Sequence, residues 1–110
     1  MEMQSVGHFS LHNEVGCIIR ISFKYIDGNG QMTRSNTGDA IVLGQTQSVD
    51  PSTLGVPDGS VLWLYADEQV GYDDTAAQGF VYQSGNGCTA QYSITEKMLD
   101  YTLGLIQVQC

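Results

Sequence analysis

Residues 17–25 read CIIRISFKY, and this stretch decides the fold. Cys17, Ile19, Ile21, Phe23 and Tyr25 alternate with Ile18, Arg20, Ser22 and Lys24. Successive side chains of an extended chain point to opposite faces, so this period of two predicts a strand with an apolar odd face and a more polar even face. A helix would place apolar residues three and four apart instead. Residues 88–94 repeat the pattern on even numbers, with Cys88, Ala90, Tyr92 and Ile94 opposed to Thr89, Gln91 and Ser93. The two apolar faces are expected to meet in one dry interior.

Turn chemistry punctuates the rest of the chain. Asp27-Gly28-Asn29-Gly30 follows the first strand, and Asp-Gly and Asn-Gly both favour hairpins because their residues tolerate positive φ. Residues 31–35 are expected to return as its partner. Ser84-Gly85-Asn86-Gly87 gives a second hairpin signal between 80–83 and 88–94. Further short strands are expected at 7–13, 40–43, 45–49, 60–67 and 101–109. Both prolines fall in 50–59, DPSTLGVPDG, which reads as a loop. Residues 72–78 read as another loop or a short turn of helix, and 95–100 as one helical turn capped by Thr95. Seven or eight short strands with polar outer faces predict an antiparallel β-sandwich, in a single domain spanning 1–110, with a small closed barrel as the alternative. An immunoglobulin pattern is missing: Trp63 lies far from Cys17, and Asn86 stands where a Tyr two residues before Cys88 is required.

Charge narrows the function. The chain carries 12 acidic and 4 basic side chains, for a net charge of −8. The bases are Arg20, Lys24, Arg34 and Lys97, and none lies between Ser35 and Glu96. Such a chain repels phosphate backbones and anionic membranes, so no nucleic-acid partner is expected. The first residues, MEMQSVGHFS, lack the charged and apolar regions of a secretory signal. Cytoplasmic residence, or release by a non-classical route, is the default. No apolar run approaches the ~20 residues of a membrane-spanning helix. The three cysteines, Cys17, Cys88 and Cys110, lack a CxxC spacing. Cys17 and Cys88 are expected as reduced core thiols, with a Cys17–Cys88 disulfide the competing arrangement and Cys110 an exposed terminal thiol.

Catalytic and metal frames fail one by one. His8 and His12 lie four apart, roughly 13 Å along a strand, too far to share a metal. An EF-hand started at Asp27 would put Met32 where Gly is required and Gly38 where Glu is required. Asp73 and Asp74, with Asp67 and Glu68 near them, leave a weak calcium possibility. No G-x-S-x-G elbow is present, and SGNG lacks the Lys and helix of a phosphate loop. No enzyme is expected.

The stretch 61–74, VLWLYADEQVGYDD, remains. Leu62, Leu64 and Ala66 form its core face. Val61, Trp63, Tyr65 and Asp67 form the other, which carries the only Trp of the chain and ends in an acid. With Tyr72, Asp73 and Asp74 following, this face reads as an aromatic shelf flanked by carboxylates. Such a shelf suits a sugar, whose ring stacks on the aromatic while its hydroxyls bond the acids, or a quaternary ammonium held by cation–π attraction. In size, acidity and strand content the chain is similar to aegerolysins and to small lectins and cytolysins, a resemblance of bulk properties that carries over no functional residue. The expected function is lectin-like, non-catalytic binding of a glycan or lipid headgroup at a cell surface. The alternatives are an oligomeric structural protein, for instance a homodimer burying the aromatic face, and a small membrane-acting cytolysin.

Overall fold

The computed structural model describes residues 3–68, 74–97 and 100–110. Among them eleven strand segments run in the order β1 (Ser5–Val6), β2 (His8–Asn13), β3 (Ile19–Ile26), β4 (Met32–Arg34), β5 (Ala40–Ile41), β6 (Thr46–Val49), β7 (Val61–Glu68), β8 (Asp74–Thr75), β9 (Phe80–Tyr82), β10 (Thr89–Lys97) and β11 (Asp100–Gln109). They form two packed sheets. The first has the order β1-β9-β7-β3-β4, with β5 added to β3 and β8 to β7; the second has the order β11-β10-β2-β6. The sheets do not close into a barrel, and the architecture is a β-sandwich.

The two strands with the clearest alternation take interior places in opposing sheets. Ile19, Ile21 and Phe23 of β3 face Ala90, Tyr92 and Ile94 of β10, and all six are buried. Cys17, Tyr25 and Cys88 are half-buried at the margins of the same core. Phe9 of β2 joins the layers. Its ring centroid lies 4.8 Å from Phe23 and 5.9 Å from Phe80 in the other sheet, and 6.2 Å from Tyr92 in its own. Burying a Phe side chain contributes about 1.5–3 kcal/mol, and edge-to-face rings add to it.

The sheets are mixed rather than antiparallel. β1 runs parallel to β9 in the first sheet, and β2 runs parallel to β10 in the second. Both runs therefore change sheets side by side, one at Gly7 and the other through residues 83–88. The second hairpin expected at SGNG is absent for this reason: β9 and β10 belong to different sheets. Turn residues specify a bend, while the partners of the strands they join are settled by distant contacts. The crossing is tied by Gly7 N–H to Cys88 O (3.0 Å) and His8 N–H to Cys88 O (3.2 Å). It leaves no room beside Gly7, where an added Cβ would lie 2.1 Å from the Asn86 carbonyl oxygen.

Other local expectations resolve individually. DGNG does form the β3–β4 hairpin. The Asp27 carboxylate closes it, accepting from Asn29 N–H (2.9 Å), Gln31 N–H (3.0 Å) and the Thr33 hydroxyl (3.0 Å). Residues 40–43 yield only the two-residue β5; Val42 and Leu43 are exposed, and Gly44 turns with φ 85°. The helical turn expected from Thr95 is replaced by strand: β10 continues to Lys97, and Thr95 pairs with Thr102. The 50–59 loop contains a 3₁₀ turn, Pro51–Leu54. Asn13, fully buried, donates to Cys17 O (2.9 Å) and Ile41 O (2.8 Å) and accepts from Val15 N–H (2.8 Å), so its side chain is bonded and ties the 13–17 loop to β5.

The expectations for Cys88 and Cys110 are corrected. Cys88 is bonded to Cys110, and Cys17 is the free thiol. Cys88 and Cys110 flank the Thr89↔Gln109 pair, so they extend the β10–β11 register by one step and face each other. Alternation assigns Cys88 to the correct side but says nothing about which strand lies beside it.

Candidate functional site

The face of the first sheet turned away from the core is built by β7, β3 and β4. The register sets Trp63 opposite Lys24, Lys24 opposite Arg34, Tyr65 opposite Ser22, and Asp67 opposite Arg20. Opposed residues on neighbouring strands point to the same side, so Arg20, Lys24 and Arg34 share this face with the Val61-Trp63-Tyr65-Asp67 phase of β7. Three of the chain's four bases are thus gathered on one face of a protein whose net charge is −8.

Trp63 is half-buried and lies outside the core cluster. One edge of its indole abuts the backbone at Gly79, where a Cβ would sit 2.7 Å from Nε1. That contact fixes the ring's position. Tyr65, only 8% exposed, is not an open shelf. The Lys24 ammonium lies 4.8 Å from its ring centroid, and the Arg34 guanidinium carbon 4.3 Å. Arg34 also approaches Asp67, at 3.8 Å. Its side chain therefore crosses β3 above Ser22, which is fully buried although it shares the outward phase of Arg20 and Lys24. A larger residue than Ser at 22 would obstruct that path.

The remaining expected site residues separate. Glu68 points inward and is buried, so it does not flank the aromatic face. Asp74 is half-buried on β8, opposite the inward-facing Ala66. Tyr72 and Asp73 lie outside the described residues, and the calcium expectation at Asp73 and Asp74 falls partly on them. Among the described residues, the strand pairing brings Lys24 and Arg34 onto this face together with the expected Asp67. Lys24 and Arg34 are 39 positions before Trp63 and 31 before Tyr65, and only the strand pairing brings them there. The available signal was that Arg20 and Lys24 occupy the even phase of β3.

Two other features lie outside this face. A groove of about 330 Å³ lies between β6 and residues 37–39, with Asp39, Gln47, Asp50 and Thr53 in its lining. It has no aromatic ring among those lining residues, and Asp50 is occupied in holding the loop. Asp50 Oδ1 accepts from Ser52 N–H (3.0 Å), Ser52 Oγ (2.9 Å) and the Tyr82 hydroxyl. Partial burial pushes this carboxyl up, but the bonds from Tyr82 and Ser52 and the field of His8 outweigh it and hold the carboxyl below its ordinary value. A depressed carboxylate stabilises the fold above the unfolded value near ~3.9, and that contribution is lost as pH falls through the folded value. Tyr82→Phe is expected to move the Asp50 titration upward, read by carboxyl-carbon NMR; an unmoved midpoint would show that Tyr82 does not hold the charge.

The second feature is Cys17 beside Tyr101. A hydrogen bond with Cys17, partial desolvation and the negative fields of Cys17, Glu96 and Glu68 push the Tyr101 phenol up to about 12.

No protein-family model matches the chain, no curated protein matches it, and no solved structure matches its fold.

Proposed function

We propose that this chain is a non-catalytic recognition module that binds carbohydrate on the outer face of β7, β3 and β4, with Trp63 as the stacking surface. The observation that carries this reading is the half-buried indole of Trp63, placed outside the core and in one transverse row with Lys24 and Arg34. An indole presents a flat apolar surface to the C–H face of a sugar ring, and neighbouring donors take its hydroxyls. A quaternary ammonium headgroup suits the face less well. The ring of Tyr65 is already covered by Lys24 and Arg34, and a further cation there meets two like charges. The Cys88–Cys110 bond supports an extracellular setting, since reducing compartments do not maintain such bonds.

Trp63→Ala is expected to weaken oligosaccharide binding at least tenfold while lowering stability by about 1 kcal/mol, the effect of removing a half-buried side chain rather than a core one. Titration calorimetry against an oligosaccharide panel and urea unfolding supply the two readouts. A loss of several kcal/mol of stability with unchanged binding would place Trp63 among the structural residues and end this reading. Gly79→Ala, which displaces the indole without deleting it, provides an independent check.

A further inference from the structure

Building on the carbohydrate reading, we infer that the sugar this face accepts is acidic, carrying a carboxylate or sulfate that Arg34 and Lys24 bind while the ring stacks on Trp63.

Charge placement is the first support. Among the described residues of this face, Arg20, Lys24 and Arg34 stand against the single carboxylate of Asp67. Elsewhere the molecule is acidic, with Asp39, Asp50 and Asp58 in its loops and turns. Bases scattered for solubility would not collect on two adjacent strands, one of them paired with the strand that carries the only Trp.

The state of the two cations is the second. The Arg34 guanidinium carbon lies 4.3 Å from the Tyr65 ring centroid. The attraction is to the charge of the group, and the five N–H donors of a guanidinium fan out in its plane. The contact to Asp67 is 3.8 Å, beyond hydrogen-bond length, so it holds the guanidinium in place without consuming its donors. Lys24 is held by the same ring at 4.8 Å. Both cations are thus positioned by an aromatic wall while keeping their hydrogen-bonding capacity. A planar two-oxygen group fits the Arg34 fork in a bidentate manner, and the Lys24 ammonium adds a point charge.

Spacing is the third. Trp63, Lys24 and Arg34 occupy equivalent places on three neighbouring strands. With strands ~4.8 Å apart, the row spans roughly 10 Å. That matches one pyranose ring on the indole with its acidic substituent, or the next residue of the chain, over the cations. Asp67 then serves as the resting partner of Arg34 and is released when the ligand's anion arrives.

The test is calorimetric titration of the full chain with tetragalacturonate, its methyl-esterified form, a heparin-derived tetrasaccharide and its desulfated form. Each pair differs in the anionic group and keeps the same rings. At least one acidic form is expected to bind tenfold or more tightly than its uncharged or less charged counterpart. Arg34→Gln and Lys24→Gln are each expected to shrink that difference by roughly tenfold, with Arg34→Lys intermediate because it keeps the charge and loses the fork. Both side chains are on the surface, so the variants should melt near the parent, as circular dichroism will establish. Equal binding of acidic and neutral forms would overturn the acidic preference and leave the carbohydrate reading standing. Binding of none of the four, nor of neutral oligosaccharides, would remove both.

Discussion

Gly7→Ala is expected to destabilise the protein by at least ~3 kcal/mol, a large part of the 5–15 kcal/mol that holds a typical domain together. The cause is local and severe. An added methyl carbon would sit 2.1 Å from the Asn86 carbonyl oxygen and 2.9 Å from its carbonyl carbon. These are backbone atoms, so no rotamer change relieves the overlap. Neither strand run can retreat easily. Gly7 and His8 donate to Cys88 O, Ser5 O accepts from the Asn86 amide at 3.4 Å, and the runs on either side are in register through β1–β9 and β2–β10. Relief requires separating the parallel pairs where the chain passes between sheets. Urea unfolding followed by Trp63 fluorescence should show the midpoint falling by roughly 1–3 M. Gly87→Ala is the matched control, because nothing lies within 4 Å of its added Cβ and it should change stability by less than ~0.5 kcal/mol. Equal midpoints for the two variants would mean that the sheet crossing is not packed as described.

Phe9→Ala is expected to cost about 3–5 kcal/mol and to lower the melting temperature by 12 °C or more on the usual scale of ~4–8 °C per kcal/mol. Phe9 is fully buried and touches aromatic rings from both sheets, namely Phe23 and Phe80 across the sandwich and Tyr92 beside it. Truncation removes the apolar transfer contribution and leaves a cavity whose walls belong to four strands. Those strands are held by their own ladders, so the cavity collapses poorly. Phe9→Leu should retain more than half of the lost stability, since most of the volume remains. A cost below ~1 kcal/mol for the alanine variant would show that the sheets are joined elsewhere.

Together these two substitutions separate backbone crossing from side-chain packing, and neither touches Trp63, Lys24 or Arg34. They establish the scaffold on which the binding face depends. The flat, twisted surface of β7, β3 and β4 keeps the cations aligned only while the sheet itself is rigid.

Much of this was legible residue by residue. Alternation in 17–25, 61–67 and 88–94 assigns Ile19, Phe23, Leu62, Leu64, Tyr92 and Ile94 to the interior, and the structure buries all of them. The Asp27 turn could be read as a hairpin because its residues both bend the chain and bond it locally. Trp63 could be placed on the outward phase of its strand. Gly7, by contrast, carries no visible mark of its role. Its requirement comes from Asn86, 79 positions away.

Side-chain phase, turn position and net charge are local or additive properties, and the order of amino acids by itself determined them: an all-β chain, two apolar faces seeking each other, and an acidic surface. Which strands became neighbours was decided only by the tertiary structure. It set 8–13 parallel to 89–94, joined Cys88 to Cys110, and carried Lys24 and Arg34 onto Tyr65. The physical reason is that a strand's edges offer the same N–H and C=O groups whatever its residues are. Partner choice therefore rests on the summed packing of the whole core, and a chemical neighbourhood built across three strands has no trace in any one of them.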